Sequence, residues 1–539
     1  MVAEQYSSKI IINLKKQIIL IFFISIAWLT VLVSLRAQSL PVGFPLIEEG
    51  LRRGQLLGTV DSLLSFDIRS LNDIETLQQN KPSFTFGSAL RKSENEQFNV
   101  QLLPISNQTE HTSNIPYHTN NGLMLPIAGF QSSLSAGVYA KLGILSLQLY
   151  PTLYYGMNRE VDGYSNINKT DWGQSQIAVS YKLFTLALSN QNMWWGPCKN
   201  NALILSNNAA GFKHISFKSS RPVNIFIGHL EWELVGGRLD NSLYTSHYPT
   251  QGYTSIPFLG PANQDARYMN GISISYQPKW VRGLFLGVNR AVQMYRQTAI
   301  DYNEYLPVFG DLFRGGEEDV GTDGQISITT RYMMPAARAE LYFEYGRNDA
   351  AMSIRDFAMI PQHSRAYVFG ITKIVETQKE HKFISMEFEM IQMEQTIDRL
   401  VRGAGSWYTH GQVHQGFTHQ GQVLGAGVGP SGNQQDVKFL LINQETQLKY
   451  GFSLRRVVHN NDFLYVAFGD LDERKRYWTD LSLGLEAGGF YKRFIFEGQL
   501  TYIYSLNYQW ELLNELNAPL SKGNNQSNVF LGIKTAYQF

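Results

Sequence analysis

The last dozen residues, Asn528–Phe539, restrict the possible folds of this chain more than any other stretch. Val529, Leu531, Ile533, Thr535, Tyr537 and Phe539 fall on one parity; Phe530, Gly532, Lys534, Ala536 and Gln538 fall on the other. A period of two marks a strand with one apolar face, and here it ends on an aromatic at the carboxylate. A soluble sheet can end this way. In lipid, where no sheet edge is tolerable, the chain before it must be a row of antiparallel strands closed on itself.

The other terminus adds weight to the second. Lys15 and Lys16 precede an apolar run from Ile18 to Val33, about 16 residues against the ~20 that a spanning helix needs. Ala37 offers a small residue for cleavage. Residues 1–37 therefore read as a secretory signal cut near Ala37; an uncleaved anchor is the alternative, because the leader is long and contains Trp28. Composition agrees with export to a membrane. Aromatics are 13% of 539 residues and charged residues only 17%, below the roughly 25% of soluble domains. A mean hydropathy of −0.20 is too polar for a helical membrane protein but suits alternating strands. The net charge of +1 gives no case for nucleic acid. With Cys198 alone, no internal disulfide is possible.

Residues 38–96 do not alternate. Leu46, Leu51, Leu56 and Leu57 share a helical stripe, and Val60–Leu64 and Ile74–Leu77 suggest further turns. This predicts a small periplasmic helical segment packed under or into the barrel mouth. From 97 to 539 the alternation is sustained. Leu145, Leu147 and Leu149 would face lipid with Ser146 and Gln148 inward; Leu341 and Phe343 oppose Glu340, Tyr342 and Glu344; Met386, Phe388 and Met390 oppose Ser385, Glu387 and Glu389. The runs predict an all-β transmembrane barrel of about 18 antiparallel strands with both ends periplasmic. Short connections (at Lys141–Gly143, Lys182, Pro278–Gly283 and Met334–Ala337) alternate with long ones, such as 191–211, 393–435, 457–478 and 510–526. Short turns belong in the periplasm and long loops outside.

Two loop stretches could carry chemistry. In Asn190–Lys199, adjacent Trp194 and Trp195 at an outer strand end fit either an interfacial girdle with internal packing or stacking on sugar C–H faces, with Asn192 beside them for hydroxyls. In Gly405–Gly432, Trp407 and Tyr408 precede His410, Gln412, His414 and His419. The histidines lack the tight ligand pair and carboxylate of a metal site, and the glycines lack the lysine and following helix of a phosphate loop. No metal, cofactor or catalytic residue is therefore expected.

The motifs in these stretches carry a resemblance. Trp194-Trp-Gly-Pro197, Leu205-Ser-Asn-Asn208, Ser406-Trp-Tyr408, Gly416-Phe-Thr-His419, Gly421-Gln-Val-Leu-Gly425 and Gly429-Pro430, with Phe66-Asp-Ile-Arg69 and Leu341–Tyr345, resemble the Wzi capsule-assembly family, in the style of its Bacteroidota branch. Cys198 stands where that pattern leads one to expect glycine. The resemblance implies an eighteen-stranded outer-membrane barrel and a non-enzymatic, lectin-like role in attaching exported capsular polysaccharide to the cell surface. Its partners would be that polysaccharide, outer-membrane lipid, and insertion machinery reading Phe539. Trp194, Trp195, Trp407 and Tyr408 would then be stacking groups, and Asn192, His410, Gln412 and His419 hydrogen-bonding groups. Two other readings remain at this level. A pore could be lined by Arg338, Glu340, Glu344, Glu387, Glu389 and Arg455, unless these form a paired network that fills the lumen. A hydrolase could use Glu387 with Glu389, or the loop residues Asp349 and Asp356.

Overall fold

The computed structural model describes residues 42, 45–60, 63–69, 98–117, 119–159, 166–242, 265–301, 321–348, 358–379, 381–395, 406–443, 446, 448–468, 476–511 and 524–539. The proposed signal at 1–37 and the suggested turn at Ile74–Leu77 lie outside them. Among the described residues the chain forms a closed antiparallel barrel of 18 strands. The last strand, Gln526–Tyr537, pairs with the first, Phe98–Thr112, in a register running from Ile105 opposite Tyr537 to Thr112 opposite Phe530. No backbone edge is left toward lipid, as a membrane requires. No described helix is long and apolar enough to cross a membrane.

The period-two reading holds strand by strand. Val529, Leu531 and Ile533 are exposed on the outer wall, while Phe530 and Ala536 are buried inside. Leu145 and Leu147 face outward and Gln148 inward; Phe343 faces outward, with Glu340, Tyr342 and Glu344 buried in the lumen. The tight turns sit where the short connections placed them, with left-handed backbone at Gly143, Lys182 and Gly283, the conformation that narrow hairpins demand.

Three staves differ from an uninterrupted reading. Leu145–Leu149 with Thr152–Asn158, Asn166–Asp171 with Gln176–Tyr181, and Lys213–Ser219 with Val223–Ile225 are each one stave broken in the middle. The first strand also runs past Pro104 rather than ending there. Proline has no N–H for the ladder, and the strand absorbs it as a register shift between Leu103 and Ser106.

The lumen is filled. Helix α1 (Pro45–Leu56) lies inside it, and its apolar stripe divides between two walls. Leu46, Ile47 and Leu51 pack with Ile495 and Ala536; Leu56 packs with Met333, Ile374, Phe383 and Leu440. The helix therefore spans the closing strands and the far side of the barrel at the end that carries the short turns.

Candidate functional site

Above α1, segments 63–69 and 190–211 cross the lumen and pair with each other as a two-residue ladder, Ile68 opposite Trp195 and Arg69 opposite Trp194. Wall carboxylates hold this plug by its backbone. Glu389 accepts the amides of Lys199 (2.7 Å), Asn200 and Asn201 (2.9 Å) and the hydroxyl of Tyr342. Glu344 accepts the Leu203 amide and the Ser327 hydroxyl. Cations complete the lock. The Arg52 guanidinium donates to the Pro197 carbonyl and reaches Glu340 at 3.1 Å, and Arg331 pairs with the same Glu340 at 2.8 Å. Arg69 donates to the carbonyls of Gly196 and Cys198 while pairing with Glu48. A second network ties α1 to the closing wall through Glu49–Lys449 and Lys449–Glu497. Buried charges are tolerated only when paired and hydrogen-bonded, and these meet that condition.

The sequence at 196–198 is fitted to this lock. Gly196 has φ +105°, and a Cβ there would stand 3.2 Å from the Glu344 carboxylate. Pro197 offers its carbonyl and needs no partner for an N–H. Cys198 lies outside the left-handed region, so the expected glycine is not required there; its side chain fills the apolar core.

Over the plug, residues 406–432 fold back as a cap. Tyr408, left-handed at φ 67°, donates to the Leu203 carbonyl (2.9 Å) and accepts the Ala426 amide (2.8 Å). Trp407 donates to the Ser364 carbonyl. Ser206 and Asn208 donate to the carbonyls of Gly425 and Val423. The segments that share motifs with the family thus interlock: Leu205–Asn208 from the plug against Gly421–Gly425 from the cap.

This geometry revises the binding set. Trp194, Trp195, Trp407, Tyr408, Asn192 and His419 are all buried, so none offers a face to an external glycan. Trp195 donates to Glu233 at 2.8 Å and lies against Gly271, where any Cβ would clash with its ring. Trp194 carries the Arg69 guanidinium 4.9 Å above its ring. Asn192 bonds the Ala209 carbonyl. His419 accepts the Asp240 amide at 3.1 Å through Nδ1; burial, aided by the charges of Lys169 and Arg267, pushes its pKa down to about 3. His410 is half-buried and Gln412 exposed, with His410 Nδ1 accepting the amides of Gln412 and Val413.

The proposed lumen network also needs a correction. Arg338 lies at a short turn, 39% exposed, and pairs with Glu376; at a left-handed turn position (φ 48°) its side chain leaves the inward parity. The other five belong to the filled interior. Glu387 pairs with Lys199 at 3.3 Å and Arg455 with Asp436 at 2.5 Å.

What sequence reasoning missed lies at the outer mouth. His459, Phe463, Tyr465, Tyr477, Trp478, Tyr508 and Trp510 form one aromatic assembly there. They come from two different loop connections with no local motif, and only the density of aromatics in those loops could have signalled it.

The family model for capsule assembly protein Wzi matches residues 107–463. Among solved structures, the chain is similar to Wzi of Escherichia coli, an outer-membrane carbohydrate-binding β-barrel involved in group 1 capsule assembly. The TM-score is 0.62 at 14% identity, covering 92% of this chain and 99% of that one. OccK2 of Pseudomonas aeruginosa, in complex with glucuronate, gives 0.41 at 9% identity over 82% and 96% of the two chains. OccAB3 of Acinetobacter baumannii gives 0.41 at 10% identity over 82% and 99%. These two carry no further argument. No curated protein matches.

Proposed function

The chain belongs to the Wzi capsule-assembly family, and from that membership we propose that it is a lectin-like protein of the outer membrane that attaches and organises exported polysaccharide on the cell surface. The observation that carries this reading is the double closure of the barrel. A plug bonded to the walls by Glu340, Glu344 and Glu389 is covered by a cap bonded to the plug. A barrel so filled is suited to presenting a fixed outer surface rather than to passing solutes. The weak sites of a repeating polymer, meeting many such barrels, suffice for retention through avidity.

A non-enzymatic role is supported by the use of two of the four candidate carboxylates, Asp349 and Asp356 lying outside the described residues. Glu389 holds three backbone amides and Glu387 an ammonium, which leaves neither free to act as acid or base. Of the eight proposed sugar contacts, His410 and Gln412 alone keep an open side toward the outside, and they remain contacts in this reading. The exposed band of Leu, Ile, Val and Phe on the outer wall would meet lipid. Phe539, packed edge-on to Tyr537, would be the residue that the insertion machinery reads, and 1–37 the signal cleaved near Ala37.

Gene deletion tests the proposal, with attached and shed polysaccharide quantified separately. Loss of the attached layer at unchanged total synthesis is expected. Unchanged attachment together with reduced uptake of small solutes would replace this reading with a pore.

A further inference from the structure

The aromatic assembly at the mouth has the construction of a ligand platform. His459 and Trp478 stack at a centroid distance of 3.8 Å and an angle of 19°. Tyr508 and Trp510 stand edge-on to Trp478 at 5.1 and 5.2 Å, and Phe463 tilts against Trp510 at 4.8 Å. One carboxylate fixes the orientation of the central pair: Asp480 accepts the Trp478 indole N–H (2.9 Å) and the Ser505 hydroxyl, and bonds His459 Nε2 (2.8 Å). The backbone is specialised as well, since Asn507, Gln509 and Trp510 are all left-handed non-glycine residues, a conformation bulky side chains rarely adopt.

These rings do not belong to a lipid girdle. Trp478 and His459 both bond Asp480, which with Ser482 is buried on the inner wall, whereas Leu481 and Leu483 are exposed on the lipid side. The platform therefore faces the axis of the barrel mouth. It is also open, with His459, Trp478, Tyr508 and Trp510 only half-buried and Phe463 exposed. Its charged surroundings among the described residues are mainly acidic. Asp480 lies beneath it, Glu394 receives the Tyr465 hydroxyl, and Glu511 is exposed beside Trp510, against the guanidinium of Arg476 on the Trp510 carbonyl and that of Arg365 on the Glu394 carbonyl.

We infer that the His459–Trp478–Tyr508–Trp510 platform binds an uncharged pyranose unit of the surface polysaccharide, its C–H face on the rings and a hydroxyl donating to the exposed Glu511 carboxylate beside Trp510. Flat rings held by an internal hydrogen-bond frame lose little freedom on binding. Carboxylates that accept hydroxyls well would repel a uronate brought to the same place. The inference rests on the surface-binding reading above and assigns it a place and a sugar class.

The test uses the full chain in detergent and polysaccharide purified from the producing cells, native and carboxyl-reduced, with calorimetry as readout. Trp478→Ala and Trp510→Ala should each weaken binding by about tenfold, the scale of one lost aromatic stack. Trp478→Phe should retain most of it, and carboxyl reduction should leave it intact or stronger. Closure of each variant is checked by its heat-dependent gel mobility. Trp510 lies outside the strand ladder, so its variant keeps the test valid should Trp478→Ala fail to close. Variants binding like the parent would overturn the platform while leaving the surface-binding reading standing. Loss of binding on carboxyl reduction would overturn the uncharged sugar. No binding by the parent, with attachment unaffected by gene deletion, would remove the reading beneath both.

Discussion

Trp195 and Trp407 lie wholly inside the barrel with each indole N–H committed to a partner in the protein, Glu233 and the Ser364 carbonyl. Trp478 and Trp510 use the same side chain at the mouth, where their faces remain partly open. The difference is in what surrounds the rings. The inner pair sits where two inward-folded loops meet and share an apolar core with the walls. The outer pair sits at the tops of strands whose inward positions end in a polar frame around Asp480. Aromatic residues in a barrel loop are thus assigned to sealing or to contact by where the loop folds, not by their local sequence.

The largest expected effect falls on the inner cluster. Trp195→Ala or Trp407→Ala should lower stability by about 3–5 kcal/mol, because each opens a large cavity in a packed core; the thermal unfolding midpoint measures it. Polysaccharide affinity of the fraction that remains folded should be unchanged. The platform variants should show the reverse, with near-parental stability and lost affinity. A Trp407→Ala protein that unfolds like the parent would end the distinction between the two clusters.

Acid provides a second, smaller lever, confined to the cap. The pKa of His419 is depressed on folding to about 3 from an ordinary 6.5. Below pH 6.5 the unfolded chain therefore takes up a proton that the folded cap refuses, so stability is lost as pH falls from about 6.5 toward 3. At pH 5 the loss relative to neutrality should be about 2 kcal/mol. His419→Asn, whose amide oxygen can still accept the Asp240 N–H, should remove that acid-labile component. An unchanged pH dependence in the variant would show that His419 titrates normally in the cap.

The contrast also marks what a sequence reader can and cannot see. The alternation of Val529, Leu531 and Ile533 with Phe530 and Ala536 is a local property, and it placed walls, lumen and strand number correctly. The stripe of Leu46, Leu51 and Leu56 likewise announced α1. By contrast, Trp194 and Trp407 were legible as an important pair of stretches, yet their burial depends on residues 190–211 turning inward, a tertiary event with no local period. The mouth platform was invisible for a related reason. Its rings come from 459–463, 478 and 508–510 and meet only because three neighbouring strands end at the same height.

Arg338 tests the same point at the smallest scale. Its place in a run of alternating residues suggested a lumen charge, but it is Arg331 that is fully buried against Glu340, while Arg338 faces water beside an even more exposed Glu376. An exposed pair of this kind is worth at most about 1 kcal/mol and is screened by salt. Its left-handed backbone (φ 48°) costs a similar amount, which glycine would recover. Arg338→Gly should therefore leave the unfolding midpoint within about 0.5 kcal/mol of the parent, with no change in conductance. A loss of several kcal/mol would place Arg338 back among the buried charges; a neutral result shows that parity at the last residue before a turn does not decide which side of the wall a side chain occupies.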